Sequence, residues 1–357
     1  MDITFLLPHI KISGGVKALL EYANRLQSMG HRVRIFIPAE KLKWYHWGKR
    51  VRVWRKGPPP LYAAGVDWFD CHVPIQVLPR NHSQFIPRAD ILVASAWQTA
   101  QSAAKLPDDR GKRFYFIQHD ESLWTREKTG AEKTYRLPFQ KIVISTWLKE
   151  ILSKKHQQEA VVLVTPVDKT LFYCKDKSWN SPRRVCLLHH DYDWKGYKDG
   201  IAAIREVRSQ NQAVDLVVFG EKLKDPRSLY EDAGFDFEYH YRPTGDRLRK
   251  IYASCDIYLC PSWYEGLGMP PMEAMACRCA LVTTDTGGCR DYAIHGETAL
   301  VSPPREAGKL AENLAAVLRD ERLMRTLAEN GHRKILEFDW DENCRRLVHL
   351  FEKSLHD

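Results

Sequence analysis

The sequence has no stretch approaching 18 uncharged apolar residues, so it holds no membrane-spanning helix. It contains no Cys-x-x-Cys pair. Its nine cysteines, an odd number spread from Cys71 to Cys344, fit reduced thiols in a cytoplasmic protein better than a disulfide framework or a zinc site. The first residues, Met1–Pro8, lack a basic leader region and read as a first strand. No Gly-x-Gly-x-x-Gly follows any apolar run, which argues against a nicotinamide-dependent Rossmann enzyme. Internal repeats and low-complexity tracts are missing as well.

Acidic residues are scarce in the first half. Residues 1–170 hold 27 Lys+Arg against 15 Asp+Glu, a net of +12, whereas residues 171–357 hold 27 against 30, a net of −3. The asymmetry points the first half towards an anionic partner. Between Lys41 and Lys56 there is no acid at all. Seven basic residues there interleave with Trp44, Tyr45, Trp47 and Trp54. Lys49, Arg50, Arg52, Trp54 and Arg55 read as a patch for an anionic membrane surface or an acidic acceptor, against the plain alternative of a solvated loop. Nucleic acid is not expected as a partner, although the aromatics could stack on bases.

What is present is enough for two cores: 357 residues, 44% of them apolar and 28% charged. Ile3–Leu7, Val33–Ile37, Ile91–Ala94, Phe114–Gln118, Ile142–Ser145 and Val161–Val164 are short apolar runs separated by helical stretches such as Val16–Met29, which Gly30 closes. The pattern restarts after Pro182 with Val185–Leu188, Val214–Phe219, Ile257–Cys260 and Leu281–Thr283, and ends in one long helix over about 305–327 and another after Trp340. This predicts an α/β protein with two doubly wound parallel-sheet domains, 1–168 and 169–340, and a terminal helix, 341–357, crossing back to the first.

The chemistry concentrates in Pro261-Ser262-Trp263-Tyr264-Glu265-Gly266-Leu267-Gly268-Met269-Pro270-Pro271-Met272-Glu273-Ala274-Met275-Ala276. An apolar strand runs into a glycine-bearing loop, and prolines sit where a helix starts. Glycines let backbone N–H groups approach a ligand, and a helix N-terminus attracts phosphate. Glu265 in the loop and Glu273, expected in the first helical turn, would flank that anion-binding crest, an arrangement suited to a sugar nucleotide.

This string resembles the signature of retaining glycosyltransferases of family 4 (glycosyl transferases group 1), which have the GT-B fold of two Rossmann-like domains facing a cleft. Ser13-Gly14-Gly15-Val16, Asp193-Trp194-Lys195-Gly196, Thr286-Gly287-Gly288 and Phe338-Asp339-Trp340 match further family features in the right order. The resemblance implies a nucleoside-diphosphate sugar as donor. Glu265 would contact the donor sugar, and backbone N–H groups of Gly266, Leu267, Gly268 and Met269 would hold sugar and diphosphate. Glu273 would bind ribose hydroxyls, Lys195 would neutralise the leaving diphosphate, and Gly14, Gly15 and Val16 would close on it. A histidine such as His119, after the strand Phe114–Gln118, would lie near the donor sugar.

Two positions depart from that pattern. Where the family has an arginine five residues before the lysine, this chain has His190, so the pyrophosphate clamp lacks its bidentate fork; Arg184 or Lys198 are candidate substitutes. The hinge segment reads Thr165-Pro166-Val167-Asp168, without the family's Asn-Gly. Asp191 and Asp193 are read as turn formers, so no metal or other cofactor is expected. The reading is a retaining hexosyltransferase of polysaccharide or glycolipid synthesis, with a glycan or lipid-linked acceptor, cytoplasmic and peripheral on the membrane. An epimerase or phosphorylase on the same fold, or a non-catalytic nucleotide-sugar or glycan binder, are the alternatives.

Overall fold

The structure is a computed structural model, and it describes residues 1–38, 66–78, 85–123 and 125–356. The basic, tryptophan-rich segment with Lys49, Arg50, Arg52, Trp54 and Arg55 lies outside the described residues. The chain divides into two compact units: residues 1–144, 148–163 and 341–357, and residues 145–147 with 164–340.

In the first unit, strands β1 (Asp2–Leu6), β2 (Arg32–Pro38), β3 (Ile75–Leu78), β4 (Ile91–Ala94), β5 (Lys112–Ile117), β6 (Gln140–Val143) and β7 (Val161–Val162) form one parallel sheet in the order β3-β2-β1-β4-β5-β6-β7. All four residues of β4 are buried, as helix-covered parallel strands require. Helix α1 (Gly14–Ser28) follows β1 and buries Val16, Leu19, Leu20, Ala23 and Leu26, one apolar stripe at helical spacing. Its last cap is Met29, whose N–H reaches Arg25 O; Gly30 comes one residue later, at φ 89°. Helices α2 (Trp97–Ala103), α3 (Lys128–Tyr135) and α4 (Thr146–His156) continue the alternation.

The second unit repeats the plan. Strands β8 (Arg183–His189), β9 (Val214–Gly220), β10 (Glu238–Tyr241), β11 (Ile257–Cys260), β12 (Ala280–Thr284) and β13 (Ala299–Ser302) are all parallel, in the order β10-β9-β8-β11-β12-β13. Its helices are α5 (Tyr197–Ser209), α6 (Arg227–Ala233), α7 (Gly245–Ser254), α8 (Met269–Ala276), α9 (Ala307–Arg319) and α10 (Glu321–Leu336). The expected single helix over about 305–327 is therefore two. Asp320 divides them: its carboxylate accepts the N–H of Leu323 at 2.9 Å and so starts a new helix. Edge strand β10, four residues with none fully buried, had no apolar run to announce it. Helix α11 (Trp340–His356) closes the chain. Phe351 packs edge-on against Phe114 at 4.7 Å, and Asn343 donates to the Tyr22 hydroxyl at 3.2 Å, both within the first unit.

In each sheet the chain moves outwards on one side of its first strand and then returns to the other side. The reversal falls between β1 and β4 in the first unit and between β8 and β11 in the second. At such a point the loops leaving the carboxyl ends diverge and open a crevice, where open α/β sheets bind ligands.

Candidate active site

In the second unit the two diverging loops are the one after β8, with His190 and Lys195, and the one after β11, with Glu265. Lys195 ends a single 3-10 turn, Asp193–Lys195, and Gly196 then takes a left-handed conformation (φ 65°, ψ 20°) to begin α5. A methyl group on Gly196 would lie 2.0 Å from the Pro261 carbonyl oxygen. The Lys-Gly step therefore exists because the two loops pass with backbone against backbone. The Trp263 N–H donates to Trp194 O at 2.7 Å and binds them together.

The consequence is the pairing at the centre of the site: Lys195 Nζ stands 2.6 Å from Glu265 Oε1, with the side chains only 18% and 12% exposed. The residues are 70 apart in sequence. Glu265 is held by its own backbone too. Its N–H donates to Thr286 O at 2.9 Å and its carbonyl accepts from Gly288 N at 3.2 Å, an added parallel bridge beside the sheet. Gly288 admits that bridge, since a methyl group there would come within 2.3 Å of Gly266 O.

Helix α8 begins immediately beyond. Gly268 takes φ 91° as its N-cap, and no side chain caps it. The carbonyls of Leu267 and Gly268 both accept from the buried Tyr292 hydroxyl, at 3.0 and 3.3 Å. Because a trans peptide sets C=O and N–H on opposite sides, the N–H groups of Gly268 and Met269 aim away from Tyr292. Pro270 and Pro271 bring no N–H to this helix end, so the donor set is narrower than an ordinary first turn. Glu273 stands in the second turn, not the first, because the helix starts at Met269. It is 5% exposed, with the Tyr252 hydroxyl 3.4 Å from its carboxylate.

His190 carries no charge at neutral pH. Burial, with the ammonium groups of Lys195 and Lys222 close by, takes its imidazole down to about 4. Its Nδ1 accepts the Tyr192 N–H at 3.1 Å. Arg184 does not replace the missing arginine. It sits six residues back, about 20 Å along an extended strand, and pairs with Glu238 at 2.7 Å. Lys198 is exposed on α5. The sequence reading passed over the aromatic ladder beside the pair: Tyr192 stacks on Trp194 at 4.1 Å and Trp194 on Tyr264 at 5.9 Å. Alternation of Tyr192 and Trp194 around Asp193 was the available signal.

In the first unit, Ser13 caps α1 and its hydroxyl accepts the Val16 N–H at 3.2 Å. The Val16 N–H is taken by Ser13, so of the three turn residues Gly14 and Gly15 are the ones left to offer backbone N–H groups. A methyl group on Gly15 would lie 2.9 Å from the side-chain oxygen of Gln118, which places this turn beside the end of β5 and its neighbour His119. His119 Nδ1 donates to the main-chain carbonyl of Asp120 at 3.1 Å, not to its carboxylate. Beneath lies Glu121, whose carboxylate accepts from Trp97 N at 2.8 Å and the Tyr115 hydroxyl at 2.9 Å; burial raises it to about 7.

Two Rossmann-like parallel sheets, each with its loops gathered at a switch point, give the GT-B fold. The structure of Anabaena Alr3699/HepE in complex with UDP superposes with a TM-score of 0.77 over 99% of this chain and 100% of that one, at 17% identity. Residues 175–334 match the family described as Glycosyl transferases group 1. O-antigen biosynthesis protein RfbC of Myxococcus xanthus is 28% identical over 280 residues, 77% of this chain and 22% of that protein. N,N'-diacetylbacillosaminyl-diphospho-undecaprenol alpha-1,3-N-acetylgalactosaminyltransferase of Campylobacter jejuni is 29% identical over 116 residues, 32% of this chain and 31% of that protein. The chain thus spans under a third of the length of either. No helix among the described residues is long and apolar enough to cross a membrane.

Proposed function

We propose that this chain is a retaining glycosyltransferase that moves a sugar from a nucleoside-diphosphate sugar to a hydroxyl of a glycan or lipid-linked acceptor in surface polysaccharide or glycoconjugate synthesis. The observation that carries the reading is the Lys195–Glu265 pair at the foot of a glycine-capped helix. Breaking the bond between the anomeric carbon and the diphosphate oxygen leaves negative charge on the phosphate and positive charge on the carbon. An ammonium and a helix N-terminus answer the first, and a carboxylate the second. When donor binds, Lys195 turns to the diphosphate and Glu265 to the sugar hydroxyls, so the ion pair is a resting state that substrate exchanges for its own charges. Glu273, deeper in α8, takes the ribose hydroxyls. Retention follows a front-face course in which a donor phosphate oxygen takes the acceptor proton, a route that asks the protein for positioning and leaving-group stabilisation.

The basic, aromatic segment within residues 41–56 suits an acceptor carried on an anionic membrane. The experiment is a thermal-shift screen of nucleoside diphosphates and their sugars, followed by transfer to candidate acceptors with the product anomer read by NMR. Hydrolysis or epimerisation of the donor, with no transfer to any acceptor, would replace the proposal with an epimerase or hydrolase.

A further inference from the structure

His190 stands where the family resemblance places a second pyrophosphate cation beside Lys195. Strands β8 and β9 are paired in register with His189 opposite Gly220, so residues 190–191 and 221–222 leave the sheet side by side at its carboxyl edge. Lys222 stands there, 48% exposed at its side chain, with Nζ 3.2 Å from Asp191 Oδ2 and 5.9 Å from the Tyr192 ring centroid. Two lysine–carboxylate pairs therefore flank the imidazole of His190: Lys195 with Glu265 from the β11 side, and Lys222 with Asp191 from the β9 side. His190 has both ammonium groups and both carboxylates as its charged neighbours. An exposed ion pair such as Lys222–Asp191 is weakly held, and a doubly charged phosphate competes for its lysine.

Resting on the donor-binding role proposed above, the geometry points to Lys222 as the second pyrophosphate cation: it leaves Asp191 when a nucleoside diphosphate enters. His190 keeps one neutral N–H for the same phosphates, since its Nδ1 is engaged by Tyr192. The cation has moved from one strand end to the next, so no spacing rule within the β8 loop would find it. Asp191 is then a counter-ion that holds the lysine in place in the absence of ligand.

The test is calorimetric titration with UDP, GDP and ADP, and with the corresponding nucleosides as phosphate-free controls. Lys222→Ala is expected to weaken diphosphate binding about tenfold, ~1.4 kcal/mol, to lower its salt dependence, and to leave nucleoside binding and the ligand-free melting temperature unchanged. Lys222→Arg keeps the affinity, and His190→Arg placed in the Lys222→Ala background restores it. Asp191→Asn tightens diphosphate binding; weaker binding there would make the pair a structural support and overturn the exchange. Wild-type diphosphate affinity in Lys222→Ala would overturn the assignment while leaving the donor site standing. A wild-type protein that binds none of the three diphosphates would overturn the donor site itself, and this proposal with it.

Discussion

Lys195 and Glu265 each restrain the other, and this determines what their substitution does. In the proposed mechanism Lys195→Ala removes the ammonium that meets the leaving group, and a loss of about 10²- to 10³-fold in transfer rate is expected, with the fold intact by circular dichroism. Glu265→Gln should lose a comparable factor while still binding the nucleoside diphosphate, since the Lys195 ammonium is then released to the phosphate. A Glu265→Gln enzyme with wild-type turnover would remove the carboxylate from the chemistry. His190 sits between these charges as a neutral imidazole. In the proposed clamp, histidine at that position reads as a gap until the neighbouring strand is considered.

At the level of elements, the site is made by loops that touch backbone to backbone. Gly196→Ala puts a methyl group 2.0 Å from Pro261 O at a residue with φ 65°. Left-handed backbone costs an ordinary residue about 1–2 kcal/mol, and the clash adds to it. We expect a loss of more than ~2 kcal/mol in denaturant titration. Gly288→Ala is aimed at function instead: it pushes on Gly266 and Glu265 and displaces the carboxylate. Displacements near 1 Å cost about 10²-fold in rate, so activity should fall much further than the melting temperature. In the first unit the end of β5 carries a pH-dependent element. Glu121 holds its proton up to about pH 7 when folded and only to the ordinary carboxyl range when unfolded. The folded state binds that proton more tightly, so the contribution is full below about pH 4.5 and is lost as pH rises through 7. Glu121→Gln should flatten stability against pH across that window; an unchanged slope would mean that another group sets it.

Over the whole molecule, helix α11 is the last segment of the chain yet belongs to the first unit's core. Phe351 is fully buried against Phe114, and Arg346 donates to Val162 O at 3.0 Å on the last strand of that sheet. Truncating a buried phenylalanine to alanine costs about 3–5 kcal/mol. Phe351→Ala should therefore lower the stability of the first unit, read by hydrogen exchange at β4 and β5. Equal loss of protection across β8 and β11 would instead mean that the two units unfold as one.

Much of this was legible beforehand, for identifiable reasons. Parallel strands buried on both faces must be continuously apolar, so β1, β4, β8 and β11 appear as runs. Glycines forced by close backbone approach, at 196 and 288, or by a positive φ, at 268, stand out as motifs, and the Glu265–Glu273 string marks a helix start by itself. Edge strand β10, Glu-Tyr-His-Tyr, carries little apolar signal, and the break at Asp320 depended on which carboxylate would cap a helix. The sequence alone therefore determined two α/β domains and named the residues proposed to meet a pyrophosphate. Only the tertiary structure decided which charges are neighbours, because that depends on strand order: β8 lies between β9 and β11, and so Lys195 meets Glu265 from one side while Lys222 and Asp191 meet on the other. Local spacing carries no record of sheet order, since the loops that converge are separated along the chain by whole strands and helices.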